Sequence, residues 1–311
     1  MSKLRIAVLG GTGFVGRSLC ERLVVAGHEV RILSRRAQRH RDLLVLPTAQ
    51  VVEADVHNPA VLKREFQGLD AVVNLVGILN EDGRGESGRD GKGFERAHAE
   101  LPAKVVQACR QNGVSRLLHM SALHAAPDGP SHYLRSKGRG ERIVHEAESN
   151  ALHVTSFRPS VIFGARDSFT NRFAGLLRQV PFVFPLACPD ARLQPVHVED
   201  VVQAFVFALD RHATFGQRYN LCGPQVYSLR EIVTYLARLL GLRRRILPLN
   251  DALSYLQAAV LQFAPGKPFT PDNYRSLQVA SICEAQFPAV FGITPVRLEE
   301  IVPTYLTQAN H

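Results

Sequence analysis

A chain of 311 residues, 46% hydrophobic and 21% charged, can bury a large core and has an ordinary globular composition. Its formal net charge of +9 favours anionic partners such as a phosphorylated cofactor or an anionic membrane; without a basic motif interleaved with aromatics, nucleic acid is set aside. No apolar run approaches the ~18 residues of a membrane span, and Cys20, Cys109, Cys188, Cys222 and Cys283 form no Cys-x-x-Cys pair, which argues against a disulfide framework or zinc site and suits a reducing compartment.

The first apolar run, residues 6–9, stops at Gly10 and reads as a strand buried on both faces, not as a signal peptide. Glycines follow at 10, 13 and 16, and residues 17–26 carry apolar side chains at helical spacing. Strand, glycine turn and helix N-terminus make a place for a pyrophosphate, because the backbone can approach and free N–H groups face the anion. Gly10, Thr12, Gly13, Phe14, Val15 and Gly16 are the expected contacts; a tight βα turn without a ligand is the alternative. Residues 29–34 read as a second strand. At its end, about 20 residues past the glycines, an acidic residue would hold the ribose 2′-hydroxyl of NAD(H). Here stand Ser34, Arg35 and Arg36. Two guanidiniums and a hydroxyl suit a 2′-phosphate, so NADP(H) is expected over NAD(H). The competing reading is a basic surface loop shared with Arg39 and Arg41.

A third strand is expected over 51–56, with Asp55 a candidate cap for the helix beginning near Pro59. A fourth, 71–76, leads to Gly77. Residues 80–93 are polar and glycine-rich and read as a mobile loop, either a lid or a disordered insertion. Residues 94–112 read as helix and 115–120 as a fifth strand ending at Ser121. Tyr133 and Lys137 lie at i and i+4, on one helix face. The ammonium is expected to lower the phenol from ~10, making Tyr133 a general acid or base, with Ser121 orienting a carbonyl or hydroxyl. Residues 152–162 read as a sixth strand. Residues 166–195 lack a clear period and are assigned to a substrate lobe. Residues 197–200 read as a helix start, with Asp200 ahead of an apolar helix. Residues 219–223 are expected as a last strand, and Ser228 caps a helix through Leu240. Beyond the arginines 243–245, residues 252–263 are strongly apolar. They suit either a buried helix of the small lobe or an interfacial helix on anionic lipid.

The glycine pattern, Asn74-Leu75-Val76-Gly77, Ser121 with Tyr133-x-x-x-Lys137, the run Arg158-Pro159-Ser160-Val161-Ile162-Phe163-Gly164 and residues 195–202 together resemble a known superfamily. It is the short-chain dehydrogenase/reductases, in their extended or atypical branch (NAD-dependent epimerase/dehydratase-like). The resemblance spans nearly the whole chain, most specifically residues 5–165 and 192–209. It implies an α/β fold with a Rossmann-type doubly wound parallel sheet. The expected division is a dinucleotide-binding domain over 1–165 and a smaller C-terminal lobe over 166–311, with 192–222 returning to the core. It further implies Asp55 and Val56 against the adenine, and Leu75, Val76 and Gly77 beneath the cofactor. Lys137 would bond the nicotinamide ribose, and Pro159, Ser160, Val161 and Ile162 would line the nicotinamide side. His98 stands where an Asn usually holds a proton-relay water, and is the next candidate proton donor after Tyr133. The subgroup most resembled has as eukaryotic members the nucleotide-binding accessory subunit of respiratory complex I, implied to bind NADPH without established turnover. Two functions are therefore expected. One is an NADP(H)-dependent oxidoreductase with a small-molecule carbonyl, alcohol or quinone-type substrate. The other is a non-catalytic NADPH-binding subunit or assembly factor of a quinone-linked membrane respiratory complex. A redox-sensing regulator fits less well with an intact Ser121, Tyr133 and Lys137. The expected location is cytoplasmic, or peripheral at the inner membrane surface.

Overall fold

The computed structural model describes residues 3–81 and 91–307. Strands β1 (Arg5–Leu9), β2 (Glu29–Ser34), β3 (Ala49–Glu53), β4 (Ala71–Asn74), β5 (Arg116–Met120) and β6 (His153–Pro159) come first. Between them lie helices α1 (Phe14–Val25), α2 (Pro59–Glu65), α3 (Lys92–Glu95), α4 (Leu101–Asn112) and α5 (His132–His145). The chain continues through β7 (Ile162–Phe163), α6 (Thr170–Gln179), β8 (Val183–Leu186), β9 (Arg192–Leu193), β10 (Val196–His197), α7 (Val198–Ala208) and β11 (Arg218–Leu221). It ends with β12 (Tyr227–Ser228), α8 (Leu229–Leu239), β13 (Arg245–Pro248), α9 (Asp251–Leu261), α10 (Pro271–Leu277) and α11 (Leu298–Leu306).

The main sheet runs β11-β6-β5-β4-β1-β2-β3, every pairing parallel. Strand order reverses at β1, so a crevice opens beyond the carboxyl ends of β1 and β4. Alternation along β1 explains its unbroken apolar run. Ile6 and Val8 pack with Leu19 and Leu23 of α1 and Val201 and Phe205 of α7. Ala7 and Leu9 pack on the opposite face with Leu62, Phe66, Val105 and Cys109. A third cluster, including Leu177, Phe184, Ile232, Leu236 and Val302, forms from the later elements. Ser228 caps α8 by a reciprocal box with Glu231.

Several local expectations are corrected. The third strand ends at Glu53, so Asp55 lies past it. Asn58 caps α2 by accepting from the Ala60 N–H at 3.0 Å, whereas Asp55 accepts from His57 N–H at 3.0 Å in a tight turn. Residues 166–195 contain α6, β8 and β9; α6 packs on α8 and α11, and β8 pairs with β13. Asp200 lies inside the first turn of α7, and its carboxylate accepts from Val296 N–H at 3.1 Å, tying down the C-terminal segment. Burial raises that carboxyl to about 6. Most of the expected loop over 80–93, residues 82–90, lies outside the described residues.

The largest departure concerns the cysteines. Cys222, directly after β11, is bridged to Cys283 across 61 residues. The segment around Cys283 is also held by backbone: Ser281 N–H donates to Arg192 O at 2.8 Å and Ser281 O accepts from Gln194 N–H at 2.9 Å. Cys283 N–H donates to Gln194 Oε1 at 2.9 Å. Linear spacing carries no sign of such a pair, because the sheet edge and the strap meet only in the folded chain. Closing a loop of this length restricts the unfolded ensemble, so Cys283→Ser, or reduction by dithiothreitol, is expected to lower stability by about 2–4 kcal/mol. Urea unfolding of oxidised and reduced protein checks this, with equal midpoints as the contrary result.

Candidate active site

The turn after β1 depends on missing side chains. Gly10 has φ +79°, and a Cβ there would lie 3.1 Å from the Leu75 carbonyl carbon and 3.2 Å from Val76 N. A Cβ on Gly16 would lie 2.2 Å from Gly10 O. Only glycine allows both approaches, which bring the turn against the β4 exit and the first turn of α1 beneath it. Gly13 is the N-cap of α1 and no side chain caps it, so the helix end offers backbone donors to an anion. Thr12, Phe14 and Val15 are half-buried at this rim, and the Phe14 ring lies against Gly164. Ser34 is buried at the end of β2 and its Oγ accepts from Arg36 N–H at 3.3 Å. The Arg35 and Arg36 side chains are exposed and make no ion pair among the described residues. Val56 is buried and Asp55 exposed on the same side of the sheet's end. Leu75 and Val76 are half-buried and Gly77 exposed, with Asn74 Oδ1 accepting from Val76 N–H at 3.2 Å.

Across the crevice, α5 presents Tyr133 and Lys137. Its N-terminus is capped twice. Ser131 Oγ accepts from Leu134 N–H at 3.1 Å, and Asp272 of α10 accepts from His132 N–H at 2.7 Å and Tyr133 N–H at 3.1 Å. Glycines 138 and 140 seat the helix; a Cβ on Gly140 would fall 1.7 Å from His98 O. Lys137 Nζ is buried and donates to Met120 O at 3.0 Å. A Cβ on Gly77 would stand 3.1 Å from that nitrogen, so the bare glycine keeps a ledge open beside the ammonium. Ser121 is buried one residue past β5. On the far side Pro159 and Ser160 are buried and Val161 and Ile162 half-buried, and Ser160 Oγ donates to Ser281 O at 2.8 Å. The fold thus brings the glycine turn, residues 75–77, Ser121, Tyr133, Lys137 and residues 159–162 to one crevice. Arg35, Arg36 and Asp55 lie at its outer end, past β2 and β3.

The electrostatics differ from the sequence expectation. Burial drives the Tyr133 phenol up to about 12, against the expected lowering. Burial likewise lowers Lys137 to about 8, while Glu141 pulls it back up. Desolvation dominates over the pairing of the two groups. His98 lies in a π-helical turn, a distortion frequent at functional sites. Its Nε2 accepts from Ile78 N–H at 3.0 Å, which leaves the Nδ1 proton to donate to Ser136 Oγ at 2.9 Å. Burial and the charge of Lys137 hold it down at about 2. With both nitrogens engaged, the neutral imidazole is held in place by Ile78 and Ser136. Its ring meets Tyr133 edge-on at 5.5 Å.

Sequence reasoning missed Glu141. It follows Lys137 by four residues and Tyr133 by eight, on the same face of α5, and is buried. Ser121 Oγ donates to it at 3.2 Å, and Arg158 Nε donates to both its oxygens at 2.8 and 2.9 Å. The helical spacing was the available signal. A carboxylate only accepts, so the single Ser121 proton is engaged and its lone pairs remain for a ligand.

The depressed Lys137 gives a testable sign. Between about 8 and 10.5 the unfolded chain binds more protons at this position than the folded one, so stability rises with pH through that window. Lys137→Met is expected to remove this rise and to stabilise the ligand-free protein at pH 7 by about 1–3 kcal/mol. Thermal or urea unfolding at pH 7 and 10 reads it; an unchanged pH slope would count against a buried ammonium.

The chain is similar to known proteins over most of its length. Residues 6–222 match the NAD dependent epimerase/dehydratase family. The chain is 29% identical over 230 residues to NADH dehydrogenase (ubiquinone) 1 alpha subcomplex subunit 9 of Dictyostelium discoideum, covering 73% of this chain but 61% of that relative's length. It is 30% identical over 250 residues to a ceramide reductase of Caulobacter vibrioides, covering 79% of this chain and 74% of that one. Among solved structures, UDP-glucuronic acid 4-epimerase of Bacillus cereus, in complex with UDP-glucuronic acid and NAD, superposes with a TM-score of 0.71 at 18% identity, over 98% of this chain and all of the other. The chain belongs to the NAD dependent epimerase/dehydratase family, an oxidoreductase-like nucleotide-binding fold of the short-chain dehydrogenase/reductase type.

Proposed function

We propose that the chain is an NADP(H)-dependent reductase of a carbonyl or quinone-type substrate, with residues 1–165 holding the nucleotide and 166–311 contributing the substrate side. The observation that carries this is the pair on α5: a half-buried Tyr133 whose phenol stays protonated, one turn from a buried Lys137 ammonium beside the ledge at Gly77. The glycines whose Cβ atoms would collide fit a pyrophosphate held by the backbone of Gly10, Thr12, Gly13, Phe14, Val15 and Gly16. Asp55 and Val56 would flank the adenine, and Leu75, Val76 and Gly77 the ribose. Pro159, Ser160, Val161 and Ile162 would line the nicotinamide. Bound NADPH would supply a hydride, and Lys137 would donate to the ribose hydroxyls. Ser121, with its proton engaged by Glu141, accepts from the hydroxyl that develops on substrate. Tyr133 gives its proton to the substrate oxygen as charge builds there. A phenol held near 12 stays protonated over the whole physiological range, so it is present there as an acid and not as a base. The ceramide reductase likeness supports a carbonyl-type substrate.

The second reading is a NADPH-binding subunit or assembly factor of a quinone-linked respiratory complex, without turnover. The likeness to the alpha subcomplex subunit 9 supports it. So does His98, whose engaged nitrogens offer no relay to return a proton to Tyr133.

Two measurements test these readings. Arg35→Ala is expected to weaken NADPH by ~1.5–3 kcal/mol, the scale of a charged hydrogen bond, and to leave NADH nearly unchanged; equal losses in fluorescence titrations would remove the 2′-phosphate assignment. Tyr133→Phe is expected to abolish single-turnover oxidation of NADPH against a carbonyl and quinone panel, with NADPH affinity kept within a few-fold. Oxidation at the parental rate would place the proton donor elsewhere, and no oxidation by the parent chain would favour the subunit reading.

A further inference from the structure

Helix α9 is built inside out. Its fully buried positions are Ser254 and Ala258, whereas Leu253, Leu256, Val260 and, just past its end, Phe263 are 47% to 77% exposed. These four stand at i, i+3, i+7 and i+10, a single stripe along the helix. The alternative of a buried lobe helix is thereby corrected: large apolar side chains face out and small ones face in. Beside it, the parallel ribbon of β8 and β13 also exposes Val183 and Leu247, and Gln257 of α9 donates to Pro185 O of that ribbon at 3.2 Å. At the ribbon's head Phe182 adopts φ +58° and leaves its ring 79% exposed, a left-handed conformation that costs a bulky residue free energy. Arg245, paired in register with Val183, and Arg243 are exposed on the same ribbon end, and neither makes an ion pair among the described residues.

We propose that this face of α9 and the β8–β13 ribbon docks on an anionic lipid bilayer. An apolar stripe flanked by exposed guanidiniums matches the boundary between acyl chains and anionic headgroups, the apolar side chains entering and the arginines staying with the phosphates. The net charge of +9 adds long-range attraction to such a surface. The docked face is also joined to the crevice. Tyr255 of α9 packs edge-on against Tyr274 of α10 at 5.5 Å, and Asp272 of α10 caps the helix of Tyr133. A substrate drawn from the bilayer would therefore reach a site one helix away. This goes beyond the nucleotide reading and does not need it.

The test is cosedimentation of the full chain, with and without NADPH, on phosphatidylcholine vesicles and on vesicles with 30% phosphatidylglycerol. Binding is expected only with the anionic lipid, equal with and without nucleotide, and reduced at least tenfold at 0.5 M salt. Leu256→Glu with Val260→Glu, both exposed and so compatible with the fold by circular dichroism, should lose binding at least tenfold. Arg243→Ala with Arg245→Ala should lose it several-fold. Absence of binding at low salt, binding unaffected by either pair, or self-association of the chain that the Glu pair abolishes without any vesicle binding would each overturn the proposal. The last would assign the face to a second copy.

Discussion

The site is organised around one buried cation. Among the described residues Lys137 Nζ has one hydrogen-bond acceptor, Met120 O, and the side chain is buried. Every neighbour accommodates that charge. Gly77 contributes no side chain. His98 and His119 are held neutral, both by burial first and by the lysine's charge second, at about 2 and about 3. Glu141 supplies the opposite charge one turn along α5 and is itself neutralised by Arg158 on β6. Removing Glu141 alone would leave Lys137 without its counter-charge and Arg158 without this acceptor, whereas removing Lys137 leaves Glu141 still paired with Arg158.

The helix of Tyr133 and Lys137 is also fixed from outside. Tyr133 sits in the first turn of α5, where N–H groups lack intrahelical partners. Ser131 satisfies one, and Asp272, from 139 residues further along, accepts from two more. The later elements thereby hold the phenol's backbone, and Ser276 adds a hydrogen bond to Ser131 at 2.8 Å. On the opposite side of the crevice the strap at Ser281 and Cys283 ties Ser160 to β9 and β11. The family fold supplies the nucleotide crevice; C-terminal segments with no period of their own close and brace it.

Residues 6–16, the buried strands, the i, i+4 relation of Tyr133 and Lys137 and the cap at Ser228 were legible in the sequence, because each is set within a few residues by glycine sterics, alternation or helix geometry. These local rules determined the parallel α/β sheet and the end of it at which the crevice opens. Tertiary structure alone decided what depends on the dielectric and on distant partners. The Tyr133 phenol rises where a neighbouring lysine led to the opposite expectation, since the cost of desolvation is set by the whole packed domain. Glu141 gains its partners only when β5, β6 and α5 assemble. The Cys222–Cys283 bridge joins residues that no spacing relates. The apolar composition of α9 was plain in the chain, but which face it turns outward was decided by the small residues that let it lie close to the ribbon. Composition states how much apolar surface exists; packing determines which side of it meets solvent.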